Sequence, residues 1–248
     1  MTIDDPDSDS YFESLRARHA GRRGFVIGNG PSLRIEDLTA LKANGEISIA
    51  SNKIFLAYDQ TDWRPDYFTI ADIVLWKKIR GEIHRHVDLV HLQDTFGKGD
   101  AQCQVRRWHC VGLAGEKDGS TQDFSGDVAQ GIYGGCSVTY VNLQLAVHLG
   151  LNPIYLIGCD HCYKGEDGVQ RDVPVQAGVE NNHFVPNYRV PGEMVNPAPL
   201  NLMERAYRHA FRYAELHGIA IFNATRGGNL NVFPRVEFDE LWERKADK

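Results

Sequence analysis

Short apolar runs rich in β-branched and aromatic residues alternate along this chain with segments of helical period, and no other feature constrains the fold as strongly. The runs cover 25–28, 47–50, 67–71, 87–92, 154–158 and 219–223. Runs this short and this continuously apolar read as strands covered on both faces, which is how parallel sheets are built. Between them, 32–45, 71–86, 137–150 and 201–218 read as helices. In the third, Ser137 is placed to cap, Val138, Val141, Leu145 and Leu149 recur at helical spacing, and Gly150 stops the helix. The fourth puts Leu202, Ala206, Phe211 and Ala214 on one face. The expected class is α/β: a mostly parallel sheet flanked by helices, Rossmann-like.

With 248 residues and 42% hydrophobic composition, the chain can bury a core without disulfides or metals. A single α/β nucleotide-binding domain over 21–248 is expected. The acidic opening MTIDDPDSDS offers little to bury, so 1–20 are expected to form a flexible N-terminus. It also lacks the basic and then apolar character of a signal peptide, and no run approaches the ~18 apolar residues that span a bilayer. A cytoplasmic location without a membrane span is therefore expected. Five cysteines, an odd number, fit reduced thiols there. The 27 basic residues are outnumbered by 33 acidic ones, which gives no overall field for nucleic acid. Two regions, 96–134 and about 164–199, show no regular period. The second is proline-rich and lies between a strand end and a long helix, where it reads as a lid-like loop.

Polar residues gather where strands end. In GFVIGNGPSL the chain leaves a strand at Gly28 and turns through Asn29, Gly30 and Ser32 into a helix. It can offer backbone N–H groups and a positive helix end to a ligand, or be a tight strand-to-helix connection only. It is neither a Walker loop nor GxGxxG. Asn52, after the second run, can read a base or ribose, or simply make a turn. In IYLIGCDHCY, Asp160, His161 and Tyr163 follow another strand end and face the same cleft. Cys159 and Cys162 form a lone CxxC, but the loop after it and the absence of a second ligand pair favour free thiols over a metal or disulfide. Among ten histidines, His183 stands out in VENNHFVPNY, within the lid, as a general base. Arg226, before two glycines, can close on an anion or be a surface residue in a turn.

Taken together, GFVIGNGPSL, SIASNKIF, GGCSVTYVNLQLAVHLGLNPIYLIGCDHCY, ENNHF and NATRGGNLNVFPRVEFDEL resemble the bacterial 6-hydroxymethylpterin diphosphokinase-like family, which includes flagellin-glycosylation accessory proteins. The resemblance runs from about Arg23 to Leu241. The first four segments are also remotely similar, in order and spacing, to bacterial lipooligosaccharide sialyltransferases. That likeness implies a glycosyltransferase-A-like single domain with a lid subdomain. It also implies a CMP-sugar site on Asn29, Ser32 and Asn52, with further contacts from Ser137 and from Thr139, which stands where that family has Gly. The catalytic His of an Asn-Ser-His-Tyr setting corresponds to His183 in Asn-Asn-His-Phe. Tyr163, displaced by one position, corresponds to a tyrosine that stabilises the leaving phosphate.

The implied reaction is metal-independent transfer of a sialic-acid-like sugar from a CMP-activated donor to a glycan or glycoconjugate acceptor, with no cofactor. A location at the inner face of the membrane and homo-oligomerisation stay open. The diphosphokinase likeness implies the alternative: pyrophosphoryl transfer from ATP, with magnesium on acids such as Asp72 and Asp160. A third reading is a nucleotide-sugar-binding accessory protein without turnover.

Overall fold

A computed structural model describes residues 6–97, 101–113, 123–164, 175–178 and 180–242. Strands β1 (Gly24–Ile27), β2 (Ile47–Ser51) and β3 (Tyr67–Ile70) are buried at every residue, as their unbroken apolar runs require. They join β4 (Leu89–Gln93), β5 (Gln104–Trp108), β8 (Ile154–Ile157) and β11 (Ile221–Asn223) in a seven-stranded sheet of order β11-β8-β1-β2-β3-β4-β5. Every pairing in it is parallel. The strand period of two divides its side chains between two cores. Phe25, Ile27, Ala50, Phe68 and Ile70 pack with Leu38 and Leu41 of helix α2 (Ile35–Ala43) and Trp76 of α3 (Ile73–Ile79). Val26, Ile47 and Ile49 pack with α4 (Val138–His148) and α5 (Leu200–Leu216). The result is a Rossmann-like α/β fold, as expected.

α4 is buried on nearly all sides, from Thr139 to Ala146 and again at His148. It is held in the interior between β1–β3 and α5, with the polar Thr139, Asn142, Gln144 and His148 among its buried residues. Ser137 caps it as expected, accepting from the Thr139 N–H at 3.2 Å. α3 is shorter than the expected 71–86: Asp72 caps it, accepting from Val74 N at 2.8 Å, and the chain leaves the helix just before Gly81, with a 3-10 turn at Ile83–Arg85.

The expected flexible N-terminus is corrected from residue 6 onward. Pro6–Leu15 form α1, which buries Phe12 and Leu15 in the core. Beyond it, Ala17, His19 and Gly21 donate backbone hydrogen bonds of 2.8–2.9 Å to His148, Leu149 and Gly150 at the end of α4. The aperiodic region 96–134 supplies the edge strand β5 and a separate two-stranded parallel sheet of β6 (Cys110–Leu113) and β7 (Ile132–Gly134); residues 98–100 and 114–122 of it lie outside the described residues. The lid-like segment contains the antiparallel pair β9 (Val175–Gln176) and β10 (Met194–Val195), while 165–174 and 179 lie outside the described residues. Its middle lies over the ends of β1 and β2: Phe184 N donates to Asn29 O at 3.0 Å and Lys53 Nζ to Tyr188 O at 2.7 Å. No helix among the described residues is long and apolar enough to cross a membrane.

Candidate functional site

From β1 the chain proceeds through β2 to β5 on one side of the sheet, and β8 and β11 lie on the other, so strand order reverses between β1 and β8. Crevices at such reversals are where open α/β sheets bind ligands. The loops after β1 and β8 meet there: Gly30 N donates to Gly158 O at 2.9 Å and the Ser32 hydroxyl to Asp160 Oδ2 at 2.8 Å. A Cβ on Gly28 would lie 2.3 Å from Gly158 O, and one on Gly30 only 1.9 Å from Asp160 Oδ2. Both glycines are therefore required by the contact between the two loops, whatever ligand approaches. Burial raises the Asp160 pKa above the ordinary carboxylate value, and the Ser32 hydroxyl and amide partly offset this.

Above this contact lies a cavity of about 580 Å³. Gly28, Asn29, Gly30, Asn52, Ser137, Thr139, Asp160, Tyr163 and His183 all line it, so most of the sequence-predicted site comes together. Ser32 stands behind the wall, engaged with Asp160. Arg226 does not line the cavity: its guanidinium binds Asp37 and Asp239, each at 2.7 Å, and ties the end of β11 to α2. The anion-binding role considered for Arg226 is corrected accordingly.

Three lining groups are buried without a hydrogen-bond partner among the described residues: Asn29 Oδ1, Asn52 Oδ1 and His161 Nδ1. The other end of the Asn29 amide is fixed by Ser51 O at 3.2 Å, which turns its oxygen into an available acceptor. Burial lowers the His161 pKa, keeping that ring neutral. Orphaned buried acceptors are expensive unless a ligand or solvent supplies donors. Asn52, Cys136 and His161, with φ of 58°, 56° and 52°, are non-glycine residues held in left-handed conformation on this same wall; such conformations concentrate at functional sites.

His183 stacks on Tyr188 with centroids 3.8 Å apart and planes 4° from parallel. Its Nδ1 lies 3.0 Å from both carboxylate oxygens of Glu180. A carboxylate at Nδ1 fixes that nitrogen as the N–H donor and leaves the neutral ring's lone pair on Nε2. The sequence reading missed Glu180, three residues before His183; a carboxylate so near a candidate base was the available signal. It also missed Tyr207 of α5, whose hydroxyl meets Ser137 Oγ at 3.0 Å and whose pKa burial raises, so that it stays a proton donor. None of the five cysteines is in a disulfide, and burial pushes the Cys159 thiol up to about 12, which leaves it inert.

Charge in the cavity is sparse. Asp72, Asp160 and Arg189 are the ionisable carboxylates and strong base among the described lining residues. Asp72 Oδ1 already accepts from α3 amides and from Asn196 Nδ2 at 2.9 Å, and no three His, Cys, Asp or Glu side chains gather as a metal-ligand group among the described residues. A divalent cation would have two carboxylates, each already hydrogen-bonded to protein donors, as its acidic ligands.

The family model for 6-hydroxymethylpterin diphosphokinase MptE-like proteins matches residues 4–166, from α1 through β8 and the Asp160 loop, and stops before Glu180 and His183. No curated protein matches the chain. Among solved structures, the chain is similar to UDP-glucose 4-epimerase from Brucella ovis in complex with NAD, at 15% identity and a TM-score of 0.28. The likeness covers 82% of this chain and 51% of the epimerase, so the chain spans about half the length of that protein.

Proposed function

This chain belongs to the 6-hydroxymethylpterin diphosphokinase MptE-like family, and from that premise and the chemistry of its cavity we propose that it is a glycosyltransferase acting on a CMP-activated, sialic-acid-like sugar. The observation that carries the proposal is that His183, oriented by Glu180, lines a cavity whose orphaned groups include two amide acceptors, Asn29 Oδ1 and Asn52 Oδ1. Ribose hydroxyls and the exocyclic amine of cytosine are donors that suit Asn29 Oδ1 and Asn52 Oδ1. A single phosphodiester matches a site with one strong base, Arg189, among its described lining residues.

In this reading, His183 Nε2 takes the proton of an acceptor hydroxyl as that oxygen attacks the anomeric carbon. The bond from that carbon to the phosphate oxygen breaks, and CMP leaves with the electron pair. Glu180 holds the imidazolium that forms. Tyr163 and Tyr207 offer hydroxyls to the leaving phosphate, and the capped N-terminus of α4 lies on the same wall. Holding donor and acceptor together supplies the proximity contribution.

The family's name favours a second reading, pyrophosphoryl transfer from ATP to a pterin. The magnesium of a triphosphate would have to be held by Asp72 and Asp160, each already bound to protein donors. The sugar-transfer reading is therefore preferred. The test uses release of CMP from CMP-N-acetylneuraminate in the presence of glycan acceptors. His183→Ala is expected to lower turnover by roughly 10²–10⁴-fold, to abolish the acidic limb of the pH profile and to leave CMP affinity unchanged. Full turnover with an unchanged pH profile would remove His183 from the reaction.

A further inference from the structure

His183 borders two cavities. Besides the larger one, a smaller cleft of about 80 Å³ is lined by Lys53, Lys78, Glu193 and Met194, and the stacked His183–Tyr188 pair, with Asn52 and Asp72, lines both spaces. We propose that this cleft receives the anionic group of an acidic acceptor sugar, and so selects acceptors that carry a carboxylate or phosphate. The proposal rests on the sugar-transfer reading of the larger cavity.

Lys53 Nζ donates to Tyr188 O at 2.7 Å and to Glu193 Oε1 at 3.4 Å. Lys78 Nζ donates to the same Glu193 Oε1 at 3.0 Å and to Met194 O. An ammonium has three N–H donors, so each lysine keeps one beyond these partners. A single carboxylate oxygen serves two cations, so the Lys53 and Lys78 ammoniums together outnumber the carboxylate that they share. The other carboxylate of the cleft, Asp72, is engaged by the α3 amides and Asn196 and not by either lysine.

Shielding strengthens this excess. The Lys53 and Glu193 side chains are each 15% exposed and that of Lys78 is 34% exposed, so the charges act in a medium of lower dielectric than bulk water. Size sets the class of ligand. A cleft of about 80 Å³ is small beside the cavity of about 580 Å³ and suits a compact group such as one carboxylate or phosphate. With the anionic group there, the rest of the acceptor extends past His183 toward the larger cavity. That is the position from which a hydroxyl can reach His183 and the donor.

Calorimetric titration of the full chain with glucuronate, glucose 6-phosphate and glucose tests the proposal, with CMP titrated alongside. Either acid or both should bind and glucose should not, and added salt should weaken the acids. Comparing glucuronate with glucose 6-phosphate shows which anion the cleft prefers. Lys78→Gln should weaken acid binding about 10-fold while CMP affinity holds, and Lys78→Arg should restore it. Equal binding of glucose and the acids, no binding of either acid to a protein that binds CMP, or acid binding indifferent to Lys78→Gln would overturn the proposal. Lysine-dependent acid binding by a protein that ignores CMP would keep the anion cleft and remove the sugar-transfer reading instead.

Discussion

Lowering the pH from 7 to 5 should cost the folded chain about 2 kcal/mol through one side chain, His91 of β4. Its ring is 1% exposed. Nδ1 lies 2.9 Å from Phe68 O, which can only accept, so the proton sits on Nδ1, and Nε2 accepts from the Tyr11 hydroxyl at 2.9 Å. Both nitrogens are thus satisfied in the neutral ring, and a second proton would place a charge in the interior. Burial lowers the pKa from 6.5 to about 4, with the Phe68 carbonyl opposing and Arg106 adding to the effect. Between these values the unfolded chain takes up a proton that the folded chain refuses. The stabilisation is therefore complete above the unfolded pKa and is lost as pH falls toward the folded one, in all about 3 kcal/mol. Urea unfolding of the wild type and His91→Gln at both pH values isolates this contribution, since glutamine keeps a donor and an acceptor without titrating. His19, His148 and His161, whose pKa values burial also lowers, titrate in both proteins and cancel. The variant should lose about 2 kcal/mol less than the wild type between pH 7 and 5. An identical loss in both would refute the assignment of a buried neutral ring that fastens α1 to the sheet.

Gly30→Ala should destabilise the fold by about 1–3 kcal/mol in urea unfolding, because its Cβ would fall on Asp160 Oδ2 and force the two loops apart; an unchanged midpoint would refute the close contact. Asn52→Gly keeps the left-handed backbone without an amide, so the thermal midpoint should hold or rise. CMP affinity should nevertheless fall by about 5- to 150-fold, the equivalent of roughly 1–3 kcal/mol for a lost hydrogen bond, and unchanged affinity in calorimetry would place Asn52 outside the nucleotide contacts.

The strands that build the site were legible because they are buried on both faces, and a run such as YFTI or ISIAS declares that without help from its neighbours. β5, QVRRW, was not: two half-buried arginines at the edge of the sheet interrupt its apolar run. α1 was hidden by its acidic composition, although Phe12 and Leu15 stand three apart on the face that meets the core. The convergence of Asn29, Asn52, Asp160 and Tyr163 followed from parallel strands ending at one edge, which topology alone enforces. What failed needed contacts distant in sequence. Gly28 and Gly30 have the composition of a ligand loop, but the atoms that exclude their side chains belong to Gly158 and Asp160. Arg226 beside two glycines resembles an anion clamp until Asp37, far away in sequence, is seen to hold it.

Recognition of cytidine monophosphate by the cavity without a divalent cation is tested most directly by titration of the chain with CMP and with ATP, each with EDTA and with magnesium. CMP should bind equally well under both conditions, and Asn29→Ala should weaken it. Binding of ATP only in the presence of magnesium, with no heat from CMP, would contradict the account and assign the cavity to phosphoryl transfer.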